Sequence, residues 1–151
     1  MKGRAMILVL LCFAIALVVV LVGGMAYVRL APSDPARWHA NPSKAPVWAE
    51  SSPWGQVIAR NDGAVLRLPP DAGLLARLDA IALATPRTSR LAGSLGEGRI
   101  TWITRSGFWG FPDYTTAEMR GDGLYLNARL RFGKSDLGVN AARLRDWQSK
   151  L

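Results

Sequence analysis

The hydrophobic pattern opens with its longest feature. From Ala5 to Val28 no residue is charged, and Arg29 ends the run. At about 1.5 Å per helical residue it reaches roughly 36 Å, enough to cross a ~30 Å hydrocarbon core with some tilt. The pattern predicts a cytoplasmic tail over 1–4 and a transmembrane helix over 5–28. Beyond it, Pro32, Pro35, Pro42, Pro46 and Pro53 leave no period of 3.6 or 2.0. Residues 29–54 therefore read as an extended, semi-rigid tether, a spacer holding the rest off the bilayer.

Periodicity returns over 55–151. Gln56–Arg60 and Ala64–Leu68 flank the turn cluster Asn61-Asp62-Gly63 and predict a hairpin. Pro69-Pro70-Asp71 reads as a stop and an N-cap, followed by the helical stripe Leu74, Leu75, Leu78, Ile81, Ala82 up to Thr85-Pro86. Four strand-like segments follow, Arg90–Leu95, Arg99–Arg105, Asp113–Arg120 and Leu124–Phe132, an antiparallel meander. The last alternates cleanly: Leu124, Leu126, Ala128, Leu130 and Phe132 on a core face, Tyr125, Asn127, Arg129 and Arg131 on a wet one. A closing helix starts near Ser135-Asp136 and carries Leu137, Ala141, Leu144, Trp147 or Gln148, and Leu151. The fold class is α+β, an antiparallel sheet of about four to six strands packed by two helices on one face, behind one transmembrane helix and a Pro-rich tether.

Composition narrows the chemistry. His39 and Cys12 are the only residues of their kinds, and Cys12 lies inside the apolar run, so no disulfide framework, cysteine zinc site or thiol nucleophile is available to the domain. His39, in the tether, has no second ligand or nucleophile near it in sequence, so neither a metal site nor a Ser-His-Asp triad is expected; no cofactor is implied. Trp38, Trp48 and Trp54 are expected to pack back on the domain. The charge balance is 19 basic to 11 acidic residues, a net charge of +8. It suits anionic surfaces or ligands and decides nothing about reaction.

An apolar run this long, with only Gly24-Met25-Ala26 as an exit site, favours an uncleaved signal anchor over a cleaved signal peptide. Lys2, Arg4 and the amino terminus crowd the near flank, whereas Arg29 and Arg37 bracket Asp34 on the far one, so the positive-inside rule favours a cytoplasmic N-terminus. The expected location is a bacterial inner membrane with the domain in the periplasm. In that orientation nucleic acid is not an expected partner, although Trp102, Arg105, Tyr125, Arg129 and Arg131 would suit a single-strand-binding face.

The densest chemical signal spans residues 129–143, where a strand turns into a helix. Arg129 and Arg131 share a strand face, Lys134 sits in the turn, and the helix start with Ser135 and Asp136 brings N–H groups nearby, an arrangement suited to a carboxylate or phosphate. The alternative is that Asp113 and Asp136 neutralise the arginines and the motif stabilises the fold. Gly133-Lys134-Ser135 lacks the first glycine of a P-loop, since Ala128 stands there, so nucleotide hydrolysis is not expected. Phe108, Trp109 and Phe111 lead into Asp113, a pocket rim if the turn folds over the sheet. Asp113 with Asp136 is the one carboxylate pair an enzyme would have to use, and it is a poor dyad.

Leu91-Ala92-Gly93-Ser94, Thr104-Arg105-Ser106, Gly110-Phe111-Pro112-Asp113-Tyr114 and Arg129-x-Arg131-Phe132-Gly133-Lys134-Ser135-Asp136-Leu137-Gly138-Val139-Asn140-x-x-Arg143 resemble the domain of unknown function 1499 family over about Asp71–Leu151. The anchor and Pro-rich tether resemble the arrangement in alphaproteobacterial members. The chain departs from the family pattern at Ala141-Ala142 and around Ser52-Pro53-Trp54. The resemblance implies that Arg129, Arg131, Ser135, Asp136, Asn140 and Arg143 form a hallmark, and it implies no activity. The expectation is an anchored, exported module, a binding protein in preference to an enzyme, that binds an anionic ligand or envelope partner at Arg129, Arg131, Lys134 and Arg143, with Asp113 alongside.

Overall fold

The computed structural model describes residues 2–44 and 53–151. Helix α1 (Lys2–Leu30) is apolar enough from Gly3 to Leu30 to cross a membrane; its most apolar 18-residue stretch is not buried against the rest of the chain, and near its end only Val28 is. Then come a short helix α2 (Pro35–Trp38) and a 3₁₀ turn at Pro42–Lys44. The domain runs β1 (Ile58–Arg60), β2 (Gly63–Leu68), α3 (Leu74–Ala84), β3 (Thr88–Ser94), β4 (Arg99–Arg105), β5 (Pro112–Arg120), β6 (Gly123–Leu130) and α4 (Val139–Gln148). Pro46, Trp48 and Ser52 lie outside the described residues.

The six strands form one antiparallel sheet in the order β1-β2-β6-β5-β4-β3. The predicted hairpin and meander are both present, and β6 joins them by pairing with β2 from Leu68↔Leu124 to Gly63↔Arg129. Crossing one face, α3 links β2 near one edge to β3 at the other, and α4 returns over β2 and β6. Between helices and sheet lies the main core of Leu66, Leu74, Leu78, Ile100, Trp102, Leu124, Leu126, Leu144 and Trp147, with the fully buried Ala64, Ala117 and Ala128 among them. Trp102 and Trp147 meet edge to face, centroids 5.7 Å apart. Each indole N–H finds an acceptor, Trp102 at Asp79 Oδ1 (2.9 Å) and Trp147 at Thr85 Oγ1 (2.9 Å), so burial strands no donor.

Four expectations need correction. The first concerns Asp71, which does not cap α3. The helix begins at Leu74 behind Gly73 in the left-handed conformation (φ +73°), and the Asp71 carboxylate pairs with Arg77 instead. Second, α4 begins at Val139, after Leu137 (φ +52°) and Gly138 (φ +81°), because Asp136 caps it from outside. Third, β6 ends at Leu130, before Phe132. The fourth is the largest: the face opposite the helices is not wet, and the tether is not a spacer. Residues 31–44 fold back across it, burying Ala31, Trp38 and Pro42. Asp34 caps α2 by accepting from the Ala36 N–H at 2.9 Å, and Pro35 supplies its first-turn backbone angle.

Candidate functional site

Strand alternation sends the residues of the 113–143 motif to opposite faces of the sheet. Beneath α4, Asp113 Oδ2 accepts from Arg143 Nη2 at 3.2 Å and from Asn140 Nδ2 at 3.3 Å, while Asn140 Oδ1 accepts from Arg143 Nη1 at 2.6 Å. Asn140 is fully buried, and the Asp113 and Arg143 side chains are 16% and 10% exposed. Burial raises the Asp113 carboxyl above its ordinary value, against the pull of Arg143. Asp136 accepts from the N–H groups of Gly138 (2.9 Å) and Asn140 (3.0 Å). Partial burial pushes its carboxyl up, but those hydrogen bonds outweigh it and hold the group below its ordinary value. The helix start that was expected to receive an external anion is thus occupied by the chain's own carboxylate.

On the other face Arg129 and Arg131 hold the tether. Arg129 Nη2 donates to the Trp38 carbonyl at 2.8 Å, its guanidinium 5.4 Å from the Trp38 ring centroid. Burial, with Arg60 nearby, draws the Arg129 guanidinium below its ordinary value. Arg131 Nη1 donates to the carbonyls of Pro32 (2.9 Å) and Ala31 (3.3 Å) and to the Tyr114 hydroxyl (3.0 Å). Ser33 Oγ lies 2.7 Å from that hydroxyl, and Trp38 stacks on the Tyr114 ring. Neither arginine meets Asp113 or Asp136. Lys134 and Ser135 are exposed in the turn between, with the Lys134 carbonyl bonded to Asn61 Nδ2 at 2.7 Å. The expected convergence of Arg129, Arg131, Lys134 and Arg143 is therefore divided by the thickness of the sheet. The proposed strand face splits likewise, with Trp102 on the helix side and Tyr125, Arg129 and Arg131 on the other.

His39 is less isolated than its position in the chain implies. Its Nε2 lies 2.7 Å from Glu97 Oε1 and its Nδ1 2.8 Å from Thr101 Oγ1, which meets Thr116 Oγ1 at 2.8 Å. Thr116 Oγ1 in turn donates to the Trp38 carbonyl at 3.3 Å. Thr101 is fully buried and its hydroxyl is engaged on both sides, so this chain of groups fastens the tether and offers no nucleophile to a substrate. Among the described residues no three His, Cys, Asp or Glu side chains gather to hold a metal ion.

A third group, which the sequence reading did not assemble, surrounds the end of α1. Arg29 donates to the carbonyls of Phe108 (Nη2, 2.7 Å) and Trp109 (Nε, 3.4 Å), stitching the β4–β5 loop to the helix. Ser106 and Phe111 close that loop with reciprocal 2.9 Å bonds. Gly110 is left-handed (φ +76°), and a Cβ there would meet the Arg29 side chain at 2.8 Å. Tyr27, Phe132, Phe111, Trp109 and Phe108 form a chain of rings with successive centroids 6.1, 6.1, 6.3 and 5.3 Å apart. Instead of rimming a pocket at Asp113, the loop aromatics face outward. A cleft of about 520 Å³ beside them is lined by Arg29, Arg87, Arg105, Thr88 and Ser106. A larger cleft of about 570 Å³, between Pro70, Leu74, Leu75, Leu95, Gly98 and Met119, is mainly apolar. Asp113 lines neither.

No family model, curated protein or solved structure matches this chain.

Proposed function

We propose that this chain is a single-pass protein of a bacterial inner membrane whose α+β domain stands in the periplasm, clasped to the exit of its own anchor. There it acts as an interaction module of the cell envelope and not as an enzyme. The observation that carries the reading is the grip of Arg131 on the Ala31 and Pro32 carbonyls directly after α1. With Arg129 on Trp38 and Arg29 on the β4–β5 loop, it removes the slack a spacer would need. A rigidly seated head suits a platform working at the membrane surface. The one carboxylate considered for acid–base work, Asp113, is shut under α4 and paired with Arg143, which argues against catalysis there.

The 129–143 motif supports membership of the domain of unknown function 1499 family and, on this reading, serves mainly to build the head. An anionic ligand at the Arg129 and Arg131 turn is the second reading. Lys134 is exposed there, but such a ligand would have to displace backbone carbonyls already bonded to both arginines. The geometry favours the first. Fusing alkaline phosphatase or a cytoplasm-dependent fluorescent protein after Leu151 tests the topology: phosphatase activity with a dark fluorescent fusion is expected, and the reverse pattern overturns the periplasmic assignment.

A further inference from the structure

We propose that the aromatic chain Tyr27, Phe132, Phe111, Trp109 and Phe108 lies in the headgroup layer of the leaflet that α1 leaves. The cleft between Arg29, Arg87 and Arg105 then receives the phosphate of an anionic phospholipid. The inference rests on the reading that α1 spans the membrane, and it names the surface that the seated head engages.

Three observations carry it. The first is position. Arg29 belongs to the last turn of α1 and holds the β4–β5 loop by two backbone carbonyls, so Phe108 and Trp109 are fixed at the depth where the apolar helix ends. The second is exposure. Tyr27 and Phe108 are 67% and 71% exposed, and Trp109 and Phe111 each 38%, although the loop is locally closed by Ser106 and Phe111. Four neighbouring aromatic rings, three on the closed loop and Tyr27 on the helix it is tied to, are expensive to leave in water, and aromatic side chains at such a level partition into the interface. Charge is the third. Arg87 Nε donates to the Arg105 carbonyl at 3.1 Å and Arg105 Nη1 to the Gly110 carbonyl at 3.1 Å. Among the described residues no carboxylate lies within 4.0 Å of Arg29, Arg87 or Arg105, although seven other pairs form within the domain and an eighth joins it to His39. Three uncompensated guanidiniums on one cleft, with donors left over after their carbonyl bonds, match a phosphate diester in charge and in fork geometry.

The full chain, with Cys12→Ser, carries an environment-sensitive fluorophore at Phe108→Cys or, as the remote control, at Gly121→Cys. Gly121 follows β5, and the nine-residue strand sets it about 27 Å from the loop. In nanodiscs containing phosphatidylglycerol, the probe at 108 is expected to shift to the blue and to be quenched by lipids brominated high on the acyl chain. The probe at 121 should stay water-like. Co-purified phosphatidylglycerol should be enriched over phosphatidylcholine, with about fivefold lost per arginine removed at the surface. Replacing Arg29, Arg87 and Arg105 together by Gln should abolish the enrichment, whereas replacing all three by Lys should retain much of it. Free inorganic phosphate at millimolar concentration should not compete. A blue-shifted probe at 108 without bromine quenching points to a protein contact and overturns the proposal. So does a water-like probe in a chain that resists alkaline carbonate extraction, and so does enrichment untouched by the Gln variant. Release of the chain by carbonate overturns the spanning reading as well, which separates the two failures.

Discussion

The Trp38 indole lies flat on the Tyr114 ring, centroids 4.0 Å apart and planes 12° apart, across 76 positions of sequence. Tyr114 is fully buried and Trp38 is 8% exposed, so the stack forms a second small core with Ile103 and Leu91 on the face of the sheet away from the helices. Removing the indole opens that face and strands the tether. Trp38→Ala should cost about 3 kcal/mol, near the lower end for a buried aromatic because the tether can partly collapse. Chemical denaturation of the full chain in micelles reads this directly, and a loss below about 1 kcal/mol would mean that the tether is not docked.

Arg129 and Arg131 make the complementary case. Each spends charged donors on backbone carbonyls, and such hydrogen bonds contribute about 1.5 to 3 kcal/mol. Changing both to Gln should release the tether before it unfolds the domain, since the main core on the other face is untouched. Limited trypsin digestion should then cut after Arg37 or Lys44 at least tenfold faster than in the native chain, leaving a resistant fragment beginning at the tether. Equal cleavage rates, with a lost ligand or partner, would instead favour the anionic-ligand reading of this turn.

Asp113 and Asp136 should respond to pH with opposite signs. Asp136 is held below its ordinary value, so its contribution is present above the ordinary carboxylate range and is lost as pH falls through the depressed value. Asp136→Ala should therefore cost about 1 kcal/mol near neutrality, and that difference should shrink in acid. The Asp113 carboxyl is held above its ordinary value. Its contribution is fully present below the ordinary range and declines as pH rises through the raised value. Asp113→Ala nonetheless costs about 3 kcal/mol at neutrality, because it leaves Arg143 charged and nearly buried without its partner. Asp113→Asn, which keeps an acceptor for Arg143, should cost less and flatten the slope. Urea midpoints between acid and neutral pH test all three variants.

What could be read in advance was local. The alternation Leu124, Leu126, Ala128 against Tyr125, Asn127, Arg129 is a property of consecutive residues, and β6 follows it. The helix stripe from Leu74 to Ala82 and the turn at Asn61-Asp62 are local in the same sense. The cover on the second face depends instead on partners 91 positions apart for Arg129 and Trp38, and 100 for Arg131 and Ala31. Those partners are backbone carbonyls, which leave no trace in residue identity, and a segment broken by prolines has no period to show which side it buries. The polar residues Arg129 and Arg131 consequently look wet. The division of the 113–143 motif was legible in principle, since Asp113 and Tyr114 must point to opposite faces of one strand. Their register against Leu130 and Arg129 supplies what spacing lacks.

Gly93 offers the most stringent test of the clasp. It sits in β3 just past the irregularity at Arg90 and Ala92, with φ +86°, and a Cβ there would stand 2.1 Å from the Arg99 carbonyl oxygen and 2.7 Å from His39 Cε1. The two clashes differ in kind. His39 belongs to the tether and can swing away, losing its bonds to Glu97 and Thr101, whereas the Arg99 carbonyl belongs to β4 and moves only if the strand pair opens. Gly93→Ala should therefore unseat the tether and also weaken the β3 edge, costing about 3 kcal/mol or more from strained backbone and overpacking together. Adding His39→Ala removes the first clash and leaves the second. The double variant should regain at most about 1 kcal/mol over Gly93→Ala, because the clash with the Arg99 carbonyl remains and the imidazole's bonds to Glu97 and Thr101 are lost in both variants. Near-complete recovery would mean that the strand tolerates the methyl group and that the imidazole alone requires glycine at this position.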